Sequence, residues 1–269
     1  MLRTRVLTAA AALPVLLISL WLGPPYFTLL VGLASLAGHL EFYRLARLAG
    51  LSPLVWVGTA GGLGVVGVVG LGRPELGGPV LAAGTLLAGA ALVVRGKTRG
   101  ALADWAATLG GSLYCGLIFS YYIPLRDLPR GLEWTLFTFG VTFGVDTAAF
   151  FVGRRWGRRP LAPAVSPAKT VEGFVGGLAA GPTVGVGLAA LLGLPGPWPA
   201  AGLGFGLALA GQAGDLFESA LKRSAGVKDS GRLFPGHGGL LDRVDSLAFN
   251  GVMSYYVVGA FLPAILGRV

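Results

Sequence analysis

Acidic and basic side chains are concentrated in one stretch of an otherwise apolar chain. Only 12% of the 269 residues are charged. A charged group in apolar surroundings is unfavourable unless it faces water, a partner or a ligand. The stretch 215–246 is therefore the first place to look for chemistry. Its charged residues are Asp215, Glu218, Lys222, Arg223, Lys228, Asp229, Arg232, Asp242, Arg243 and Asp245.

Three aspartates in this stretch have the chemistry of a cation site. Asp242 and Asp245 are spaced i, i+3, which places both on one face of a helix. Two carboxylates this close repel each other unless a cation lies between them, although one Asp near a helix start is also an ordinary capping residue. Asp215 lies in the preceding apolar run and has no local partner. An all-oxygen set of Asp215, Asp242 and Asp245 predicts Mg²⁺ rather than Zn²⁺.

The residues between these aspartates favour phosphate binding. Ser219 and Lys222 follow Asp215 at i+4 and i+7, on the same helical face, while Glu218 with Lys222 is also consistent with a simple ion pair at a helix end. The turn 235–239 reads Pro-Gly-His-Gly-Gly, and glycines expose backbone N–H groups that bind phosphate. We interpret His237 as structural support or a phosphate contact rather than an acid–base group.

A second polar loop precedes the region by about 50 residues and reads Ser-Pro-Ala-Lys-Thr-Val-Glu-Gly from Ser166. Ser166 and Thr170 are suitable helix caps. Lys169 places a cation where the helix dipole disfavours it, so it needs another reason, such as an anionic phosphate. Asp146 lies within an apolar run upstream and has no sequence-local partner, which makes it a candidate functional residue.

Composition predicts an all-α, polytopic membrane protein. The charged fraction of 12% is about half that of soluble domains, and apolar residues occur in runs long enough to cross a bilayer. Glycine, present 46 times, suits close packing of membrane helices. The nine predicted spans are roughly 5–23, 26–46, 53–71, 78–95, 103–124, 132–152, 171–193, 199–221 and 246–267.

The basic residues test this layout. With the N-terminus in the cytoplasm and the C-terminus outside, all of the 21 lysines and arginines lie on the cytoplasmic side except Arg73, Arg126, Arg130 and Arg268. This asymmetry follows the positive-inside rule and places both polar loops in the cytoplasm. We therefore expect a multi-pass protein of the bacterial inner (plasma) membrane whose active site faces the cytoplasm.

We expect residues 1–269 to form a single transmembrane domain, with an N-terminal helical part (1–131) and a catalytic part (132–269). The net charge of +9 is explained by the topology and by anionic lipid, so nucleic acid is not an expected partner. A lone cysteine, Cys115, excludes an internal disulfide and a cysteine metal site. In the second predicted span, Glu41, Arg44 and Arg47 have the spacing of intrahelical pairs, and His39 is interpreted as a packing residue.

The combined motifs resemble one family. The pattern Ser219-x-x-Lys222-Arg223, then Lys228-Asp229, then Pro-Gly-His237-Gly-Gly-x-Leu-Asp242-Arg243-x-Asp245-Ser246 is similar to the signature of phosphatidate cytidylyltransferase, also called CDP-diacylglycerol synthase. The loop from Ser166 to Gly173 is similar to a second motif of that family. The stretch from Asp146 to Arg154 also fits, except that Phe150 stands where tyrosine is expected. The specific motifs cover the last half of the chain.

The resemblance implies that CTP and phosphatidate react to give CDP-diacylglycerol and pyrophosphate in the lipid bilayer, with Mg²⁺ and a second cation for which K⁺ is one candidate. It implies catalytic roles for Asp215, Asp242, Asp245, Lys222 and Lys228, and a homodimer is compatible with it. Residues implied in substrate binding are Asp146, Ser166, Lys169, Thr170, Ser219, Arg223, Asp229, His237 and Arg243.

Two other functions are compatible with the residues. One is a related CTP-dependent lipid enzyme, either a polyprenol kinase or a cytidylyltransferase that acts on an ether lipid. The other is a secondary transporter that uses buried carboxylates as ion sites. The concentration of polar residues in predicted cytoplasmic loops, rather than at the centre of the membrane, favours the enzyme.

Overall fold

A computed structural model of the chain describes residues 2–234 and 238–261, with the side chains of 12–234 and 238–260. The described residues are predominantly helical. The α-helices are α1 (Leu2–Leu22), α2 (Tyr26–Leu48), α3 (Val55–Gly70), α4 (Gly77–Val94), α5 (Ala101–Gly111), α6 (Tyr122–Asp127), α7 (Gly131–Trp156), α8 (Val171–Leu192), α9 (Pro197–Ser224) and α10 (Leu241–Tyr256). A 3₁₀ turn covers Pro74–Leu76, and π-helical segments cover Ser112–Ile118 and Val257–Phe261.

The helices fit the prediction of a helical membrane protein. Four helical segments within the described residues are long and apolar enough to cross a membrane: Pro74–Val94, Ala101–Asp127, Gly131–Trp156 and Val171–Leu192. Ala12–Leu22 and Val55–Gly70 are shorter apolar helices. Each of the nine predicted spans overlaps helical structure, and the fifth (103–124) is assembled from α5, a π-helical segment and α6. The number of membrane crossings and their orientation stay predictions.

The connection between α7 and α8 differs from the all-α prediction. It contains a short antiparallel hairpin of β1 (Pro160–Ala162) and β2 (Ser166–Thr170), in which Pro160 pairs with Thr170 and Ala162 with Ser166. The N–H of Val171 continues the pairing by donating to the carbonyl of Arg159 at 2.8 Å. Prolines 160, 163 and 167 disfavour helix here, so the chain reverses direction in extended form. The strands are too short for an alternating pattern to reveal them.

The chain divides into two compact units. Residues 1–124 with 221–243 form the first unit, and residues 125–220 with 244–269 form the second. The sequence had suggested a division near residue 131 within one transmembrane domain, and that organisation stays a prediction. The first unit combines the N-terminal helices with the loop that carries much of the long signature. The two units are described separately below.

In the first unit, buried hydrogen bonds join α2 to α5, and α3 to the π-helical segment that follows α5. The hydroxyl of Tyr43 donates to the carbonyl of Thr108 at 2.7 Å, and Ser112 Oγ donates to the carbonyl of Gly58 at 2.8 Å. His39 is fully buried, with Nδ1 2.7 Å from the carbonyl oxygen of Ser35, in agreement with its interpretation as a packing residue. Lys97 and Asp104 form an ion pair at the start of α5.

In the second unit, α7 and α8 meet through glycines. A Cβ atom added at Gly144 would lie 2.9 Å from a methyl group of Val184, and one added at Gly173 would lie 2.8 Å from the carbonyl oxygen of Ala149. The buried face of α8 consists of Gly173, Gly177, Gly181, Gly185 and Ala189, and on this face Gly181 and Gly185 lie against the backbone of α9 at Gly204 and Ala200. Small residues at this spacing let helix backbones approach closely, as predicted from the glycine content.

Candidate active site

Asp242 is the most heavily hydrogen-bonded carboxylate of the first unit. Its Oδ1 accepts a hydrogen bond from Lys222 Nζ at 2.7 Å, in an ion pair whose side chains are only 12% (Lys222) and 6% (Asp242) exposed. Its Oδ2 accepts from the backbone N–H groups of Ser230 (2.9 Å) and Gly239 (2.8 Å) and lies 3.0 Å from Ser230 Oγ. The signature loop is thus folded around this carboxylate.

These contacts decide the charge state of Asp242, which lies at the start of α10. Burial by itself would raise the pKa of the carboxyl group. The hydrogen bond from Lys222, the N–H groups of Gly239 and Ser230 and the charge of Lys222 outweigh burial, and the pKa is held below its ordinary value. Asp242 is therefore a carboxylate throughout the physiological pH range.

The glycine turn before α10 is shaped by the same carboxylate. Gly238 has a φ of +83°, a conformation that favours glycine, and its carbonyl accepts a hydrogen bond from the N–H of Phe234 at 2.9 Å. A Cβ atom at Gly238 would lie 2.5 Å from Asp242 Oδ2. Asp242 thus lies on the inside of the turn and accepts the N–H of Gly239, so binding of phosphate by this turn stays a prediction. Pro235, Gly236 and His237 lie outside the described residues, so the interpretation of His237 stays a prediction.

Glu41 on α2 was expected to form intrahelical pairs, and the structure assigns it to the signature loop instead. Its carboxylate accepts hydrogen bonds from the backbone N–H groups of Leu240 (2.8 Å) and Leu241 (3.0 Å), and from Ser230 Oγ (2.8 Å). Arg44 Nη1, one turn further along α2, donates to the carbonyl of Ser230 at 3.1 Å. An acidic residue in an apolar run was the only available signal, and the nearby Arg44 and Arg47 suggested a local explanation for it.

The second unit holds a group of carboxylates with a different environment. Lys169 forms an ion pair with Asp215, and Ser219 Oγ lies 3.5 Å from Asp215 Oδ1. Asp245 is half-buried, and its carboxylate is repelled by the negative charges of Asp215, Glu218 and Asp146. The structure therefore gives Lys169 the anionic neighbour that its unfavourable place beside a helix N-terminus required, and gives Asp215 a partner that is distant in the sequence.

The loop that carries Lys169 is fixed by its neighbours in the motif. Thr170 caps α8, with its Oγ1 accepting from the N–H of Gly173 at 3.1 Å, as predicted. Ser166 lies in β2 rather than at a helix start. Glu172 accepts hydrogen bonds from the N–H groups of Arg158 (3.0 Å) and Arg159 (3.2 Å) and from Arg159 Nε (3.1 Å). Glu172 thereby ties the end of α7 to the start of α8.

The remaining predicted substrate-binding residues lie at the surface or in turns. Arg223, Lys228, Asp229 and Arg243 are exposed, and Arg223 Nη1 donates to the carbonyl of Val227 at 3.0 Å. Exposed cationic side chains can bind an anionic ligand from solution. Their assignment to substrate stays a prediction.

The predicted metal ligands fall in both units: Asp242 in the first, Asp215 and Asp245 in the second. Among the residues with described side chains, no group of three His, Cys, Asp or Glu has the arrangement of a metal site. The donor chemistry nevertheless fits a hard cation. Asp245 and Asp215 offer the carboxylate oxygens that a hard cation prefers, whereas Asp242 is already paired with Lys222. Binding of Mg²⁺ by these residues stays a prediction.

Comparison with known proteins places these features in a family. Residues 3–261 match the model of the cytidylyltransferase family. The chain is 37% identical over 258 residues to a phosphatidate cytidylyltransferase of Brucella melitensis, with 94% of this chain and 92% of the relative covered. It is 35% identical over 255 residues to one of Staphylococcus aureus, with 92% and 95% covered. It is 35% identical over 273 residues to one of Brucella abortus, with 100% and 97% covered. The chain therefore belongs to the cytidylyltransferase family.

Proposed function

We propose that this protein is a CTP:phosphatidate cytidylyltransferase of phospholipid biosynthesis, which transfers CMP from CTP to phosphatidate and releases pyrophosphate. The observation that carries this proposal is the similarity to phosphatidate cytidylyltransferases over more than nine-tenths of the chain and of each relative. The ordered contacts of Lys222 and Asp242 within the signature loop support it.

The membrane arrangement is part of the proposal. We place nine spans with the N-terminus in the cytoplasm and the C-terminus outside, in the bacterial inner (plasma) membrane. The apolar helices and the one-sided distribution of basic residues support this placement. Phosphatidate would keep its acyl chains in the bilayer, and CTP would reach the site from the cytoplasm. We further propose that two copies of the chain form a homodimer.

The reaction is a displacement at the α-phosphorus of CTP. A phosphate oxygen of phosphatidate forms a bond to that phosphorus, and the bond to the bridging oxygen of the β-phosphate breaks as pyrophosphate leaves. The attacking phosphate is already ionised near neutral pH, so no strong general base is needed. Both reactants are anions, and the protein must chiefly neutralise charge and align the groups.

Two lysines are suited to this task. A lysine ammonium has three N–H donors, and in each case an aspartate fixes its direction. Lys222 is oriented by Asp242 and Lys169 by Asp215, so each ammonium group is held in a set place from which it can bind phosphate oxygens. We assign Lys222, Arg223 and Lys228 to the phosphates of CTP, and Ser166, Lys169 and Arg243 to the lipid phosphate or pyrophosphate. Further contacts are assigned to Asp146, Thr170, Ser219, Asp229 and His237.

Asp215, Asp242 and Asp245 would hold Mg²⁺, with a second cation such as K⁺ beside it. When bound, Mg²⁺ supplies positive charge that stabilises the phosphates of CTP. The mutual repulsion of the second unit's carboxylates supports cation binding there, since a cation would relieve it.

The test uses purified protein in detergent with phosphatidate, Mg²⁺ and CTP labelled at the α-phosphate. Label in the lipid fraction, matched by pyrophosphate release, is the expected result. CTP labelled at the γ-phosphate distinguishes a lipid kinase, because a kinase passes on the γ-phosphate and leaves CDP. Solute uptake into vesicles without CTP consumption would contradict the enzyme assignment and indicate a transporter.

A further inference from the structure

We propose that Glu41, on α2, is a positioning residue for the reaction: it holds the turn 238–242 in place and through it sets the position of Asp242. This inference rests on the proposed function, and it adds a residue outside the signature motifs. All residues concerned belong to the first unit. Glu41 acts through Asp242 and Lys222 rather than on the substrate.

Glu41, on α2, caps the start of α10. The first N–H groups of a helix lack partners within the helix and carry partial positive charge. Those of Leu240 and Leu241 both point to Glu41, at 2.8 Å to Oε1 and 3.0 Å to Oε2. A carboxylate that accepts two backbone N–H groups in this way fixes the direction in which α10 begins. Asp242 is the residue that follows.

The carboxylates of Glu41 and Asp242 both lie next to the hydroxyl group of Ser230. Ser230 is fully buried, and its Oγ lies 2.8 Å from Glu41 Oε2 and 3.0 Å from Asp242 Oδ2. The N–H of Ser230 also donates to Asp242, and its carbonyl accepts from Arg44. The loop at Ser230 is therefore held between α2 and Asp242 by every polar group it has.

The backbone of the loop leaves no free space around the Glu41 carboxylate. A Cβ atom at Gly231 would lie 2.3 Å from Glu41 Oε1, and one at Gly239 would lie 2.3 Å from Oε2. The loop backbone thus packs directly on the carboxylate on two sides. Glu41 is only 8% exposed, and a buried carboxylate is tolerated when it is hydrogen-bonded as completely as this one. Glycine at 239 is required by this contact.

The test compares Glu41→Gln with Glu75→Gln, a matched charge removal at an exposed residue of the same unit. The amide introduced by Glu41→Gln would direct an NH₂ group at one backbone N–H, which breaks the cap while keeping the shape. We expect the E41Q protein to insert and fold with a melting temperature lower by a few degrees, with kcat lowered by about tenfold or more and the KM for CTP changed by less than about threefold. Wild-type kcat in a folded E41Q protein would overturn the proposal.

A second readout does not depend on turnover. Hydrogen exchange at the amides of residues 238–242 should be faster in E41Q than in wild type or E75Q, while exchange in α3 is unchanged. Unchanged exchange in this segment would overturn the proposal even if activity fell. If wild type transfers no cytidylyl group, the proposed function fails, and the exchange experiment still decides whether Glu41 holds the turn.

A third variant covers the case in which E41Q does not fold. Ser230→Ala removes only the shared hydroxyl group, and a several-fold lower kcat in a normally folded S230A protein would support the proposal. Where E41Q does fold, the loss in the double variant E41Q/S230A should be smaller than the product of the single losses, because both changes release the same turn. Full activity of S230A together with independent effects in the double variant would contradict the linkage.

Discussion

The aspartates of the two units differ in how their charge is balanced. In the first unit, Asp242 accepts from one lysine and two backbone N–H groups, and it shares the Ser230 hydroxyl with Glu41. In the second unit, Asp215 is paired with Lys169, while Asp245 is repelled by three carboxylates. The first arrangement fixes a group in place by protein contacts alone. The second brings together carboxylates whose mutual repulsion either a cation or a proton would relieve.

We expect the largest effect from Asp242→Asn, which removes the charge that the contacts of the first unit hold in place. The amide cannot accept from Lys222, Ser230 and Gly239 as the carboxylate does, and breaking such a buried pair destabilises by about 3–5 kcal/mol locally. We expect turnover to be abolished while membrane insertion persists, measured by label transfer and by membrane fractionation. Asp127→Asn, at an exposed residue, serves as the control. Near-normal turnover in D242N would remove Asp242 from the catalytic group.

The charge excess of the second unit is tested by Lys169→Gln. Loss of this cation leaves the carboxylates with less positive charge, so we expect a melting temperature in EDTA lower by a few degrees, at about 2–4 °C per kcal/mol. Added Mg²⁺ should restore more stability to K169Q than it adds to wild type, and activity should fall about 10- to 100-fold.

The matched control is Lys97→Gln in the first unit, where Lys97 pairs with Asp104. This variant also loses an ion pair, but the pairing involves a single carboxylate. Mg²⁺ should therefore raise the melting temperature of K97Q by the same amount as it raises that of wild type. Equal responses of K97Q and K169Q to Mg²⁺ would eliminate the contrast between the units.

Gly239→Ala tests how tightly the first unit is packed. The added methyl group would lie 2.3 Å from both Glu41 Oε2 and Ser230 Oγ, a contact that only a shift of the turn relieves. Overpacking of this kind costs about 1–3 kcal/mol, and we expect lower thermal stability with reduced turnover. Gly78→Ala, at a position on α4 with open space, should be neutral or slightly stabilising. Equal stability of the two variants would show that the turn tolerates displacement.

The smallest effect is expected for Arg154→Ala. Arg154 is an exposed residue in the last turn of α7, and we assign it to membrane topology rather than to the site. Turnover should stay within about twofold of wild type, as for exposed residues away from a site. Complete loss of activity in this variant would show that the arginine cluster takes part in the reaction.

The sequence revealed the residues that combine unusual type with local spacing. Asp242, Lys222 and the glycine turn stand out because they lie within one short charged stretch. The partnership of Lys169 with Asp215 was not predictable, since the two belong to separate motifs and periodicity gives no information on tertiary pairing. Glu41 was misinterpreted because its partners are backbone N–H groups 199 and 200 residues away, and a backbone donor has no sequence signature.

The long helices were predictable from the sequence, but the short irregular elements were not. Long apolar runs predicted the helical character of the described residues, because about twenty consecutive apolar residues have few alternatives to a helix; residues 262–267 of the ninth predicted span lie outside the described part. The π-helical segment Ser112–Ile118 and the hairpin of β1 and β2 were missed. Both are short departures that depend on how neighbouring helices are joined rather than on local residue preference.

The glycine contact between α7 and α8 has a consequence for the order of assembly. A helix pair that meets through glycines freezes few side-chain rotamers, so little conformational entropy opposes its association. We therefore expect α7 and α8 to associate during synthesis, before α9 emerges. Lys169 would then already be positioned when Asp215 is synthesised. A cross-link between cysteines at positions 144 and 184 in chains truncated after residue 196 would measure this. Failure to form it without α9 would show that the later helices are needed first.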